Sequence, residues 1–523
     1  MLLVIVVQAF VVGASAAALN FPSFRIQNPF DIIFGDEPWK HWPTPHPSPE
    51  SMTVYETITN DDRFKCLTKA FKFVGHEIIK VLDDKDANIT FFAVPDTALK
   101  HGRDLHDDHG SQYESLITTA FPSSPFQRED LLSVFGTASP DIRTIFNAID
   151  TIDTNLLLDH KDKGEGDGGD GDGDHDEPDH GDPDKDKERR KKMIKYIVNA
   201  VLQYHVLPYE ANDHDLRYNT TYRTNLKVPV AFGGHSQRVR VSNKYKKKKV
   251  QTFLNGRSKV VVSNVKAKNG LIHVVDHPII PPGPVFQELF LFPHFFSTFT
   301  SALQRSGLAD ELDLRYVWNH DEDEGHFEGT AAVTVFAVPN KVFDELPRRL
   351  QWFLFSPFGK DALRKVLEYH IVPGVIAHSD FVYNQTAETN PDAKRCSCDQ
   401  HALKKHHPYR EPMSSLTVDL DTRFANHSLN FHVEKDRLWY KKSKRPTEYE
   451  TTVFVDGDKV KFADIVGLNG AIHIVDKLLC PWHHDGDDDH HHHHLMEPDS
   501  EVWKTWEEWL PQMTAGHESY SKL

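Results

Sequence analysis

Asn269-Gly270-Leu271-Ile272-His273-Val274-Val275-Asp276 returns near the C-terminus as Asn469-Gly470-Ala471-Ile472-His473-Ile474-Val475-Asp476. Two further phrases recur ahead of it, in the same order. Phe92-Ala93-Val94-Pro95-Asp96 reappears as Phe336-Ala337-Val338-Pro339-Asn340. Val201-Leu202-Gln203-Tyr204-His205-Val206-Leu207-Pro208 reappears as Val366-Leu367-Glu368-Tyr369-His370-Ile371-Val372-Pro373. Phrases repeated in one order mark a duplicated domain. The period is far too long for a solenoid, so each copy is expected to be a complete globular unit with its own core. Function must then be something a module can do twice.

At 523 residues the chain has room for several such units. Its hydrophobic content, 39%, is low for a compact protein, which points to long loops or disordered stretches. A net charge of -17 argues against a general nucleic-acid binder, because phosphate contacts need a basic face. Met1 to Val12 is apolar apart from Gln8 and runs into Gly13-Ala14-Ser15-Ala16-Ala17-Ala18, so residues 1–18 read as a secretory signal peptide. Four sequons agree with that route, at Asn88, Asn219, Asn384 and Asn426. Cys66, Cys396, Cys398 and Cys480 form an even set that permits two disulfides in an oxidising lumen. Cys396 and Cys398 lie too close for an easy mutual bridge, so one of them is expected to reach Cys480 or Cys66. The terminal Ser521-Lys522-Leu523 reads instead as a peroxisomal address. That address is read in the cytosol and conflicts with the signal peptide; the secretory reading is preferred.

Residues 19–50 are rich in proline and aromatics, an extended lead-in. From Thr53 apolar residues recur at helical spacing, interrupted at Asn60-Asp61-Asp62. Ile89 to Val94 reads as a buried strand stopped by Pro95, after which Asp96 caps a short helix. The repeated phrases measure the insertions. Pro95 to Tyr204 spans 109 residues where Pro339 to Tyr369 spans 30, and the excess includes an acidic Gly/Asp/His/Lys tract at about 159–190 that is expected to be disordered. Copy two carries its own insertion at about 391–412, holding Cys396 and Cys398. Between the Tyr-His and Asn-Gly phrases the first copy reads as strands at 224–230, 238–241, 250–254 and 260–265. Helices precede strands in each copy, which makes the fold class α+β. Residues 482–523 form a His/Asp-rich tail containing Trp503, Trp506 and Trp509.

A helical pair, a strand ending in Phe-Ala-x-Pro-[Asp/Asn], a Tyr-His helix end and a closing Asn-Gly-x-Ile-His strand together resemble the fasciclin (FAS1) domain. The resemblance covers residues 51–283 and 284–481, and the acidic, insertion-rich form is similar to fungal two-domain members. It implies two β-sandwich wedges, each with helices packed at one edge. It further implies roles in cell adhesion and matrix or wall association. The phrases departing from the family pattern are Val94-Pro95 and Val338-Pro339, which shift the usual proline by one place. The Tyr-His neighbourhood, which the resemblance implicates in adhesion, maps to Tyr204, His205, Tyr369 and His370. The competing reading buries these rings and satisfies their polar atoms with backbone groups, and His273 and His473 read the same way.

No nucleophile elbow, Walker loop or dinucleotide fingerprint occurs, and no cofactor is implied. His76-Glu77-Ile78-Ile79-Lys80 lacks the second histidine of a zincin. Asp170-Gly171-Asp172-Gly173-Asp174 lacks the glycine and glutamate an EF-hand needs, since His175 and Gly181 stand in those places. The histidine run 490–494 has no fixed geometry, so no specific metal site is assigned. One basic patch stands out. Lys244, Lys246, Lys247, Lys248 and Lys249, with Arg238 and Arg240 nearby, sit where a hairpin tip is expected and read either as a solvated loop or as a site attracting anionic glycan, phospholipid or the chain's own Asp-rich tract. The expected function is that of a non-enzymatic secreted or lumenal glycoprotein of the cell surface or wall, whose partner is a surface or matrix protein or glycan. The alternative is a vacuolar or wall-resident protein binding an apolar ligand between Phe286, Phe290, Phe295 and Phe299.

Overall fold

The computed structural model describes residues 51–100, 183–246, 249–319, 324–384, 395–396, 410–439, 446–480, 506 and 510. The stretch read as a signal peptide, the lead-in, most of the acidic tract and most of the tail lie outside them.

The first copy opens with α1 (Val54–Thr59), α2 (Lys65–Val74) and α3 (His76–Asp83). Thr53 starts α1 with a reciprocal cap: its hydroxyl accepts the Glu56 N–H and the Glu56 carboxylate accepts the Thr53 N–H. Helix α2 turns Leu67, Ala70, Phe71 and Val74 inward, the i, i+3, i+4, i+7 face that hydrophobic burial selects. Strand β1 (Ile89–Ala93) and helix α4 (Asp96–Lys100) follow. Asp96, expected to cap its own helix, stands as its first residue and accepts the N–H of Cys66 at 2.9 Å. Helix α5 (Pro183–Tyr204) begins inside the acidic tract, seven residues before its expected end at Arg190. The physical reason is local. Pro183 suits the first helical position, Asp184 and Asp186 fall in the first turn, where negative charge suits the helix dipole, and Asp186/Arg190 and Glu188/Lys192 recur at i, i+4.

Strands β2 (Val206–Leu207), β3 (Thr221–Lys227), β4 (Ser236–Lys246), β5 (Lys249–Leu254), β6 (Ser258–Ala267) and β7 (Gly270–Val275) complete a sheet of order β2-β1-β7-β6-β5-β4-β3. The second copy repeats the plan. It has α6 (Val285–Phe290), α7 (Pro293–Ser306), α8 (Ala309–Leu312), β8 (Leu314–Asn319), β9 (Glu324–Gly329) and β10 (Val333–Ala337). Then come α9 (Asn340–Glu345), α10 (Arg348–Leu354), α11 (Lys360–Tyr369), β11 (Ile371–Pro373), β12 (Val375–His378) and β13 (Phe381–Asn384). Strands β14 (Arg395–Cys396), β15 (Arg410–Asp421), β16 (Ser428–Trp439), β17 (Pro446–Val455) and β18 (Asp458–Lys459) form an antiparallel meander. The closing strands are β19 (Phe462–Gly467) and β20 (Gly470–Ile474).

The repeated phrases turn out to be partners. β1 lies parallel to β7 with Ile89 opposite Gly270, and β10 lies parallel to β20 with Val333 opposite Gly470. Phe92 therefore faces His273 and Phe336 faces His473, stacked at 5.8 and 5.5 Å between ring centroids. The asparagine ahead of each glycine ties this strand pair to the helices. Asn269 accepts the Val54 N–H and donates to the carbonyls of Leu82 and Asp84. Asn469 accepts the Val285 N–H and donates to those of Leu312 and Thr330. Glycine is required next because a Cβ there would stand 1.8 Å from the Ile89 carbonyl oxygen in one copy and 1.9 Å from that of Val333 in the other.

Candidate functional site

The Tyr-His pairs are structural fixtures of each core. Tyr204 is 0% and His205 3% exposed; Tyr369 is 1% and His370 0%. His205 Nδ1 bonds the Val201 carbonyl at 2.7 Å while its Nε2 accepts the Ile279 N–H at 3.0 Å. His370 repeats both contacts with Val366 and Leu479. Both rings are thus neutral with the proton on Nδ1, and burial pulls each pKa down to about 4. Tyr204 donates to the Arg238 carbonyl at 2.7 Å and Tyr369 to Asp456 Oδ2 at 2.9 Å, and burial raises both phenols. As placed, none of the four rings offers a surface to a partner. His273 and His473 are equally enclosed, each bonded through Nε2 to a carbonyl, of Ala211 and Ala377 respectively.

The lysine patch does close a hairpin: Lys246 pairs with Lys249 at the end of β4 and β5, with Lys247 and Lys248 between them outside the described residues. Lys244 lies over the Phe253 ring at 5.5 Å. Asn88 and Asn426 are exposed sequon asparagines, and Asn426 sits at a positive φ of 65°. Asn219 is half-buried and its carbonyl accepts from Lys435 Nζ at 2.8 Å; Asn384 closes β13. Cys66 packs against the first core and Cys480 against the second. Cys396 is described only as backbone of β14, and Cys398 lies outside the described residues.

The most built polar site lies between the copies. Arg238 and Asp380, from opposite copies, pair at 3.1 Å with 10% side-chain exposure each. Asp380 also accepts the N–H and hydroxyl of Thr221, and the Arg238 guanidinium lies 4.7 Å from the Phe381 ring. Arg240 donates to the Ala463 carbonyl and stacks over Phe462 at 4.4 Å. Gln237 reaches the Leu468 carbonyl at 2.8 Å. Asp464, 1% exposed and at φ 63°, accepts from Ser379 N–H and Oγ and from the Thr220 hydroxyl of the other copy. Burial opposes its charge, yet His378, His473 and Ser379 hold the carboxyl below the usual range. His378 Nδ1 stands 3.6 Å from Asp464 Oδ1, longer than a hydrogen bond, so Ser379, His378 and Asp464 are not wired as a hydrolytic triad. An apolar plug of Phe232, Ala332, Ile376 and Ala471 fills the seam beside Phe381 and Tyr383. At its edge Lys435 caps the Tyr218 ring at 3.1 Å, and burial pushes its pKa down to about 8.

Position 464 shows how one copy was adapted. Its counterpart five residues before the other Asn-Gly is Asn264, at φ 62°. Asn264 is exposed and exchanges hydrogen bonds with Asp213. The same strained corner is solvent-facing in copy one and docks the neighbour in copy two. The Asn-to-Asp difference between the repeats was the available sequence signal for this seam; Arg238 and Arg240 were read only as part of the lysine patch.

Two cavities are formed in the second copy. One, about 320 Å³, has an apolar floor of Leu308, Leu312, Val333 and Ile371 under Glu311 and Arg423, which pair with each other. The other, about 160 Å³, involves Phe295 and Phe296. Of the four phenylalanines expected to line a ligand pocket, Phe295 alone lines either cavity. Phe299 is fully buried core, Phe286 packs against that core, and Phe290 is 40% exposed.

Residues 183–281 and 294–407 match the family model described as Fasciclin domain. The first match begins at residue 183, inside the acidic tract, although β1, which precedes the insertion, belongs to the same sheet. The chain is 26% identical over 257 residues to "Aurofusarin biosynthesis cluster protein S" of Gibberella zeae, across 48% of this chain and 54% of that protein. It is 28% identical over 189 residues to "Stabilin-2" of Rattus norvegicus, across 34% of this chain and 11% of that protein. The chain therefore spans about half the length of the first relative and about a tenth of the second. Among solved structures it is similar to a FAS1 domain pair from the insect cell adhesion molecule Fasciclin I. That likeness has 14% identity and a TM-score of 0.25, over 78% of this chain and 96% of that one.

Proposed function

Because the chain belongs to the fasciclin domain family, as a tandem pair, we propose that it is a non-enzymatic secreted or lumenal glycoprotein that attaches to a cell surface or wall. The observation that carries the reading is the seam: two modules joined by a desolvated ion pair and an apolar plug present their outer faces at one fixed spacing. Two weak contacts held at a set distance act as one stronger contact, since the second engagement becomes intramolecular and costs no ordering of the pair. The lysine hairpin supplies a basic tip for an anionic glycan on an otherwise acidic chain. The exposed sequons Asn88 and Asn426 suit a lumenal route.

The test is retention of the full chain on intact cells and isolated walls. Wild type is expected to be retained, and Arg238→Met, which loosens the seam, to be retained less. Absence of retention on every preparation would end this reading. On an anionic polysaccharide column, Lys246→Ser, Lys247→Ser, Lys248→Ser and Lys249→Ser together should abolish binding; unchanged elution rules the hairpin out.

A second reading, binding of a small apolar molecule, draws on the 320 Å³ cavity, which is at the lower end of ligand-pocket sizes, and on the relative named for a biosynthesis cluster. Leu312→Trp would fill that cavity. A ligand signal that survives this change would place the ligand elsewhere.

A further inference from the structure

Helix α10 reads Arg348-Arg349-Leu350-Gln351-Trp352-Phe353-Leu354. Leu350 and Leu354, at i and i+4, are fully buried, so the helix is committed to one inward face. Trp352 lies midway between them in sequence, about 200° around the helix from each, and is 73% exposed. A tight turn follows. Ser356 N–H bonds the Phe353 carbonyl at 3.0 Å and Gly359 N–H the Ser356 carbonyl at 3.3 Å. A Cβ on Gly359 would stand 2.0 Å from the Phe353 carbonyl oxygen, so the turn is pressed against the end of α10. Its tip is Phe358, 84% exposed. These are the two most exposed large apolar side chains among the described residues, and they stand on consecutive elements of the chain.

The charge of this stretch is reversed from that of the chain as a whole. Arg348, Arg349 and Lys360 are exposed, and 348–360 contains no carboxylate, within a chain of net charge -17. The flanking acids in sequence are Glu345, 3.6 Å from Lys341, and Asp361 beyond Lys360. Protruding tryptophan and phenylalanine rimmed by cations match the boundary between lipid headgroups and acyl chains, where rings enter and cations meet phosphate.

We propose that residues 348–360 form a lipid-docking edge that seats Trp352 and Phe358 in the interface of an anionic bilayer. No described helix is long and apolar enough to cross a membrane, and a seven-residue helix with its turn reaches only the interface. A single short segment gives reversible attachment, as one shallow anchor does. The inference deepens the surface-association reading by naming a partner class, and the closing experiment separates the two.

Purified full chain is sedimented with phosphatidylcholine vesicles, with and without phosphatidylserine. Binding is expected only with phosphatidylserine and should weaken as salt is raised. Trp352→Ser with Phe358→Ser should lower partitioning at least about tenfold, because two rings lose their burial. Arg348→Gln, Arg349→Gln and Lys360→Gln should each lower it about fivefold. A thermal melt confirms that each variant is folded; these sites are exposed, so the fold should persist. Equal sedimentation of wild type and the double aromatic variant overturns the proposal. So does wild-type self-association that the same variant abolishes, which would make the edge a contact between copies of the chain. If vesicle binding fails while retention on cells or walls persists, the lipid edge falls and surface association stands. The reverse outcome leaves the edge and removes that reading.

Discussion

The ion pair between Arg238 and Asp380 decides whether the two copies behave as one body. Each side chain is 10% exposed and their closest approach is 3.1 Å. Arg238→Met keeps most of the stem but strands Asp380, which is still bonded to the Thr221 N–H and hydroxyl. Asp380→Leu strands Arg238, which keeps the Thr221 hydroxyl and carbonyl and the Phe381 face. Removing one member of a buried pair costs about 3–5 kcal/mol, mostly the desolvation of the charge left behind. The double variant leaves no stranded charge, so it should cost less than the sum of the singles by about 2–3 kcal/mol. Urea denaturation of all four proteins, followed by tryptophan fluorescence, measures this coupling directly. The singles should also split or broaden the transition as the copies lose their mutual support. A coupling below about 0.5 kcal/mol, with unchanged transition shape, would refute a locked seam.

Asn469→Leu should cost about 3 kcal/mol or more, because the Val285 N–H and the carbonyls of Leu312 and Thr330 lose buried partners; Asn269→Leu should behave alike, and denaturation midpoints will show it. Gly470→Ala should prevent β20 from closing against β10, read as loss of soluble folded protein, since its Cβ would meet the Val333 carbonyl oxygen. Tyr369→Phe should lose about 1.5–3 kcal/mol through its bond to Asp456 and leave surface retention unchanged; a selective loss of retention would return Tyr369 to the binding surface. Stability should fall as pH drops from about 6.5 to about 4. Over that window the unfolded chain protonates His205, His370 and His473 while the folded chain, with each pKa lowered to about 4, does not. Glu288, raised to about 7, acts in the opposite direction from pH 4.5 upward, so thermal melts should show a net loss on acidification carried by three groups against one.

Much of the architecture was legible because it is written in local terms. Gly270 and Gly470, the strand phrases and the Tyr-His helix ends each carry their own reason: a close backbone approach, a buried alternation, a ring to be satisfied. The helical start at Pro183 was also local, but the acidic composition masked its capping and i, i+4 pattern. The burial of His205 and His370 follows one of the two sequence readings, and backbone partners at both nitrogens supply the physical cause.

By itself the sequence determined that there are two copies and that each is α+β. Only the tertiary structure decided what the recurring phrases do to each other and which corner of copy two holds copy one. Register and docking depend on groups far apart in the chain. Arg238 and Asp380 are separated by 142 residues, and no local spacing or propensity records that they meet. The repeats carry the scaffold in their identical residues. The seam and the exposed edge at Trp352 and Phe358 arise where the copies differ, because a difference gains physical meaning only once the fold sets what it faces.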